Sequence, residues 1–253
     1  MDGAVRPVPA ISAHRGGGEN ARAGTYEAYR SALAAGAEYA EFDVRRTADG
    51  TLVVFHRARA GWGRAVAGVS YARLCYLAGY EVPRMAEVMR LLAGRAVGHL
   101  DLKEPGGAAV IVARAVDLLG PGGVVVTTDS CMVAASLRRR FPAVPIGLTV
   151  GGDLGETVRF TARRARARAR GRGLSRLDRV LAAAADWAVV HHRLARTGVL
   201  EECRMRGIRT MVWTVNSDRA LARWLASPSV DVLVTDRPAR AVGLRGPGRL
   251  ASG

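Results

Sequence analysis

An α/β chain closed into a single-domain TIM (β/α)8 barrel, with a small hairpin after the second strand, is what this sequence predicts. Eight short β-rich apolar runs alternate with longer Ala-, Leu- and Arg-rich segments, the pattern of a parallel sheet covered by helices. Eight such units over 253 residues match the size of that barrel. Polar residues cluster at the ends of several runs, which is where such a barrel carries its chemistry.

The expected strands are residues 10–15, 40–44, 98–103, 124–128, 146–150, 187–191, 210–215 and 232–236. After the first comes a helix over 26–35, with Thr25 as N-cap and Gly36 just past its end. A helix over 218–226 follows the seventh, capped by Ser217 or Asn216. An open doubly wound sheet would need a glycine-rich phosphate turn after its first strand, and Gly16-Gly17-Gly18 lacks the required spacing. Residues 1–9 read as a lead-in, 10–242 as the barrel and the Gly/Pro-rich 243–253 as a frayed tail. Within the barrel, 163–173 alternates Arg with Ala and Gly, so its arginines spread around any helix. That run reads as a solvated insertion, with weak contact to an anionic membrane surface as the alternative.

With 49% hydrophobic and 24% charged residues the chain can bury a large core and does not have the composition of a disordered chain. No run approaches the roughly 20 apolar residues of a membrane span, and the N-terminus does not look like a secretion signal. Cys75, Cys131 and Cys203 are odd in number and far apart, which fits neither a disulfide framework nor a zinc site. The expectation is a cytoplasmic, reducing compartment with the cysteines as small buried hydrophobes. The net charge of +16 invites a nucleic-acid or phosphate-binding protein without catalysis. However, 37 of the 38 basic residues are arginine, which weakens any argument from surface arginines, and stacking runs or zinc motifs are missing, so no specific nucleic-acid partner is expected. The one lysine, Lys103, gains weight, because a compact ammonium does not interchange with a planar guanidinium where geometry is tight.

Side chains alternate along a strand, so Glu41 and Asp43 share a face, as do Asp101 and Lys103. If these faces look into the barrel mouth, three carboxylates converge and repel unless a cation joins them. All-oxygen ligands select a hard ion, Mg²⁺ or Ca²⁺. Asp49-Gly50 between apolar runs is a hairpin signal, and as a two-residue loop it sets His56 opposite Asp43. A loop one residue longer turns His56 to the other face. His56 then joins His14 at the mouth. Two imidazoles, an acidic metal site, Arg15 and Lys103 suit attack on a phosphodiester: cations neutralise the phosphate oxygens while one imidazole takes a proton and the other gives one.

His14-Arg15-Gly16, Glu41-Phe42-Asp43-Val44, Asp49-Gly50, Val53-Val54-Phe55-His56, Val82-Pro83-Arg84, Leu100-Asp101-Leu102-Lys103, Val212-Trp213-Thr214-Val215-Asn216 and Val234-Thr235-Asp236-Arg237-Pro238 occur in this order. Over residues 11–242 the chain thereby resembles the glycerophosphodiester phosphodiesterases. The resemblance implies a barrel enzyme that hydrolyses a small-molecule glycerophosphodiester to glycerol 3-phosphate and an alcohol. It implies His14 and His56 as the acid–base pair, Glu41, Asp43 and Asp101 as ligands of a divalent metal, and Arg15 and Lys103 as phosphate-binding residues. It further implies that the glycerol 2-hydroxyl attacks first and water opens the resulting cyclic phosphate. Three positions depart from the family pattern. The family's Pro-Glu-Asn-Thr is here Arg22-Ala23-Gly24-Thr25, which keeps the capping Thr and loses the polar pair unless a slipped Glu19-Asn20 replaces it; the third carboxylate is the shorter Asp101; and Arg57 follows the second histidine in place of an aspartate, which predicts a shifted acidic limb of the pH–rate profile or an altered substrate range.

Trp213 is expected to wall the pocket beside the leaving alcohol or to belong to the core, and Asn216 to line the pocket or to cap the next helix. His99 reads as a hydrogen-bonded core residue, and His191 and His192 fall outside the site. The runner-up activity is a phospholipase-D-like lyase on lysophospholipid or sphingolipid, which uses the same residues and releases a cyclic phosphate.

Overall fold

The computed structural model describes residues 8–61, 63–103, 106–151 and 177–246. Eight parallel strands form the barrel: β1 (Ala10–Ala13), β2 (Tyr39–Arg46), β6 (Val97–Leu102), β7 (Val124–Thr128), β8 (Ile146–Val150), β9 (Trp187–His191), β10 (Arg209–Trp213) and β11 (Val232–Thr235). The order runs β1-β11-β10-β9-β8-β7-β6-β2, and Ser12 and Ala13 pair with Tyr39 and Ala40 to close the ring. Each expected strand is present; β7, β8 and β9 have the expected bounds and the other five differ by one or two residues at an end. The Arg-rich run 163–173 lies outside the described residues.

Strand parity divides the apolar residues into two cores. Val125, Trp187, Val189, Met211, Val232 and Val234 fill the barrel interior as one cluster. Their neighbours of opposite parity, such as Phe42, Leu100, Val126, Ile146, Leu148, Val190, Val212 and Leu233, pack outward in a larger cluster with helix residues. Both faces of β9 and β11 are therefore apolar along most of their length, which is why they read as continuous apolar runs, whereas the inward faces of β1, β2 and β6 carry Ser12, Glu41, Asp43, His99 and Asp101.

Helix ends follow local chemistry. In α1 (Tyr26–Ala34) the Thr25 hydroxyl accepts from the Ala28 amide at 3.3 Å, and Gly36, at φ +81°, leaves the helix in the left-handed region. Ser217 takes the cap before Asp218–Leu225 by accepting from Ala220, and Asn216 is released for another role. The last helix, Pro238–Arg245, runs three residues into the segment expected to fray. Of the cysteines only Cys203 is fully buried; Cys75 and Cys131 are half-buried, contrary to expectation, and all three are free.

The hairpin is present but its register corrects the sequence reading. β3 (Leu52–Val54) pairs Val44 with Val54 and Arg46 with Leu52, so Asp43 faces Phe55, not His56. The loop has three residues, Ala48-Asp49-Gly50, closed by Gly50 N–H to Thr47 O and Thr47 N–H to Thr51 O, both at 3.0 Å. A two-residue turn of the expected type needs positive φ at both Asp49 and Gly50, and only Gly50 has it, at +82°. Asp49 is held by the Thr47 hydroxyl and the Tyr71 amide instead. Beyond β3 the chain makes two short strands, β4 (Arg59–Ala60) and β5 (Arg64–Ala65), and a helix, Tyr71–Ala78, which cover the hairpin with a small core around Val53, Val66, Leu74 and Val82.

Candidate active site

The carboxylates lie on adjacent strands at the barrel mouth. Asp43 of β2 is level with Asp101 of β6, which is level with Thr127 of β7, and Glu41 stands two residues deeper. One oxygen of each of Glu41, Asp43 and Asp101 lies within 4.8 Å of the others. Lys103 bridges two of them, with Nζ 3.0 Å from Asp43 Oδ1 and in contact with Asp101 Oδ2. Arg15 leaves β1 in the left-handed conformation, φ +52°, which is costly for a residue with a Cβ. Its amide donates to Glu41 Oε2 at 2.8 Å, anchoring that turn to the acidic cluster. Gly16 follows at φ +77°, where a Cβ would stand 2.9 Å from the backbone of Ala28 and Tyr29, so only glycine lets the turn pack on α1.

Neighbouring carboxylates are driven in opposite directions. Burial pushes Glu41 well above the usual carboxylate range, and the negative charges of Asp43 and Asp101 add to it. Burial would also raise Asp43, but the His56 hydrogen bond and the Lys103 charge overcome it and hold Asp43 well below that range. Burial opposes the Lys103 charge, yet Asp101 and Asp43 raise its affinity for the proton. Three carboxylates beside two cations leave a buried negative excess centred on Glu41. That excess, with all-oxygen donors at bridging distance, fits a hard divalent cation held by Glu41, Asp43 and Asp101.

Both histidines reach this cluster. His14 Nδ1 lies 2.6 Å from Asp236 Oδ1, and its Nε2 is 4.0 Å from Glu41 Oε2. His56 Nδ1 lies 3.0 Å from Asp43 Oδ2. His56 arrives there despite the changed register because the ladder ends at Val54, and past that point alternation no longer dictates direction. Its carbonyl accepts from the Arg45 guanidinium at 3.0 and 3.2 Å, which fixes the turn that carries it. In both rings a carboxylate holds Nδ1–H, which leaves Nε2 as the atom that can exchange a proton.

A cavity of about 490 Å³ opens over the site. His14, Arg15, Glu41, His56, Asp101 and Lys103 line one side; Val189, Trp213 and Val234 line another. Arg15 Nε is buried and has no hydrogen-bond partner among the described residues, although Asp43 Oδ2 is within ion-pair reach at 3.3 Å. An anionic oxygen in the cavity would satisfy it.

Residues 14–90 match the model of the Glycerophosphoryl diester phosphodiesterase family. The matched segment carries His14, Arg15, Glu41, Asp43 and His56 of the cluster. Solved structures carry the fold likeness over nearly the whole chain. A glycerophosphodiester phosphodiesterase from Agrobacterium tumefaciens is 24% identical, with 93% of this chain and 99% of that one covered and a TM-score of 0.69. One from Thermotoga maritima is 20% identical over 94% and 98%, with a TM-score of 0.72. A phosphodiesterase from Oleispira antarctica, solved with its product sn-glycerol-3-phosphate, is 16% identical over 94% and 96%, at 0.73. No curated protein matches the sequence.

The structure gathers seven of the predicted residues, His14, Arg15, Glu41, Asp43, His56, Asp101 and Lys103, into one cluster and sets Trp213 in the cavity wall, its indole N–H donating to Val189 O at 3.3 Å. Asn216 does not line the cavity; it stands behind Asp236, donating to its carboxylate at 2.5 Å and accepting from its amide at 2.9 Å. Asp236, the carboxylate against His14, is the site residue that the sequence reading did not single out. A carboxylate at the very end of the eighth strand was the available signal. Glu19 and Asn20 do not replace the family's polar pair: Glu19 accepts from the Ala239 and Arg240 amides at the start of the last helix, and Asn20 donates to Ser31. His99 is buried and hydrogen-bonded at both nitrogens, and burial pulls its pKa down to about 4. His191 and His192 stack on each other at 4.4 Å away from the cluster.

Proposed function

We propose that this chain hydrolyses small glycerophosphodiesters to glycerol 3-phosphate and an alcohol with a divalent metal, Mg²⁺ or Ca²⁺, held by Glu41, Asp43 and Asp101. The observation that carries the reading is the pair of imidazoles, each braced through Nδ1 by a carboxylate, at the rim of the acidic cluster. The product complex of the Oleispira antarctica phosphodiesterase supports the substrate class. When bound, the ion neutralises charge on the non-bridging phosphate oxygens.

The chain's own residues do the rest. Arg15 Nε and Lys103 Nζ hold the phosphate. One imidazole Nε2 takes the proton of the attacking hydroxyl as the new P–O bond forms. The other delivers a proton to the alkoxide as the old P–O bond breaks. Asp236 and Asp43 steady the imidazolium that each ring becomes. If the glycerol 2-hydroxyl attacks first, water then opens the cyclic phosphate with the two roles exchanged. Trp213 walls the alcohol side. The free cysteines support a reducing, cytoplasmic setting, and no helix among the described residues is long and apolar enough to cross a membrane.

The test is release of glycerol 3-phosphate from glycerophosphocholine by the purified protein. Release is expected with Mg²⁺ or Ca²⁺, to stop with EDTA, and to fall by about 10²–10⁴ in His56→Ala. No release with Mg²⁺, Ca²⁺ or Mn²⁺ overturns the reading.

A further inference from the structure

Behind the acidic cluster, four polar groups form a hydrogen-bonded line across the barrel interior. Ser12 Oγ is 3.1 Å from His99 Nδ1, His99 Nε2 is 3.2 Å from Thr127 Oγ1, and Thr127 Oγ1 is 3.1 Å from Asp101 Oδ1. Ser12, His99 and Thr127 are buried and come from three strands, β1, β6 and β7. None of them is an acid, base or ligand in the reaction proposed above.

The polarity of the line follows from counting protons. Ionised Asp101 has none, so the Thr127 hydroxyl must donate to it. Thr127 has a single proton and spends it there, so its oxygen can only accept from His99, which therefore carries its proton on Nε2. In a neutral ring Nδ1 is then bare and accepts from the Ser12 hydroxyl. Packing holds the same orientation from the other side: Gly147 lies beside Thr127, and a Cβ there would stand 3.1 Å from Thr127 Cγ2 and 3.0 Å from Val189 Cγ2. The Thr127 methyl is thus lodged against β8, and its hydroxyl faces the mouth.

We propose that His99 is a positioning residue that, as the Nε2–H form, turns the Thr127 hydroxyl onto Asp101 and presets that carboxylate for the metal. The proposal rests on the metal reading above. Asp101 Oδ1 is held by Thr127 and Oδ2 by Lys103, so the plane of the carboxylate is fixed before an ion arrives. Groups that orient a ligand in this way are worth about 10–100-fold in metal affinity.

Two measurements test it. In metal-free protein with ¹⁵N-labelled histidine, the His99 signals are expected to show a protonated Nε2 and a bare Nδ1; a neutral ring protonated on Nδ1 overturns the proposal. Mn²⁺ affinity by titration calorimetry is expected to fall about tenfold or more in Thr127→Val. Thr127→Ser, which keeps the hydroxyl, is expected to bind as the parent does, which separates loss of the hydrogen bond from loss of packing. Thr127→Val binding Mn²⁺ as tightly as the parent overturns the positioning role alone. A parent chain that binds no Mn²⁺ overturns the metal reading as well, so the two failures are distinct.

Discussion

Around one barrel mouth the strands end in two different ways. β1, β2, β6 and β7 lead to or carry His14, Glu41, Asp101 and Thr127 in the cavity wall, with Asp43 packed against them, whereas β9, β10 and β11 bring Val189, Trp213 and Val234. Alternation is the same in both halves, and deeper in the barrel both halves are filled by the same apolar cluster. What changes is the top layer, and the proposed reaction uses the difference: charge and proton transfer for the phosphate, apolar contact for the leaving alcohol. A barrel can therefore confine costly buried charge to one arc while the rest of the ring supplies stability.

The widest separation between the halves is expected from the histidines. His14→Ala should lower kcat by about 10²–10⁴ with glycerophosphocholine. Asp236→Asn keeps the imidazole and disturbs only its bracing, so a fall of about 100-fold in kcat is expected, read from steady-state rates. In the apolar half, Trp213→Ala should raise KM roughly tenfold with kcat little changed, since the contact is made in ground and transition states alike. Equal effects of Trp213→Ala and His14→Ala on kcat would dissolve the distinction.

Within the charged arc, two carboxylates predict opposite changes in stability. Glu41 is raised in the fold, so its contribution is present at low pH and is lost as pH rises through that raised value. Metal-free Glu41→Gln should therefore melt higher at neutral pH, by roughly 2–4 °C, and lose the stabilisation that Mg²⁺ gives the parent. Asp43 is depressed, so its contribution is present at neutral pH and is lost as pH falls through the depressed value. Asp43→Asn should melt lower at neutral pH by a similar amount, about 2–4 °C. The smallest effect is expected from Arg57→Asp, beside the histidine: a displaced acidic limb of the pH–rate profile with an unchanged maximum. Coincident curves would remove Arg57 from the account.

Most of this arrangement is legible in the chain because strand parity is a local rule. Glu41-x-Asp43 and Asp101-x-Lys103 declare a shared face without knowledge of the fold, and the eight apolar runs declare the ring. The rule fails where backbone detail decides. Asp49 does not take the positive φ that a two-residue turn demands, so the hairpin slips by one, yet His56 still reaches Asp43 because the strand has already ended. Asp236 and His14 are 222 residues apart and meet only because β11 pairs with β1. The same closure puts Glu19 at the start of the last helix instead of in the mouth. Asn216 fits a cap or a pocket wall by sequence alone, and the fold gives it neither: Ser217 takes the cap and Asn216 holds Asp236.

The central claim is that the charged arc hydrolyses a phosphodiester through its two histidines, and phosphorus NMR of the products tests it most directly. Wild-type protein with glycerophosphocholine and Mg²⁺ is expected to accumulate glycerol 3-phosphate as the final phosphorus species, and the His14→Ala, His56→Ala double variant is expected to leave the substrate intact. A cyclic phosphate as the final product, or turnover that persists in the double variant, would contradict the account.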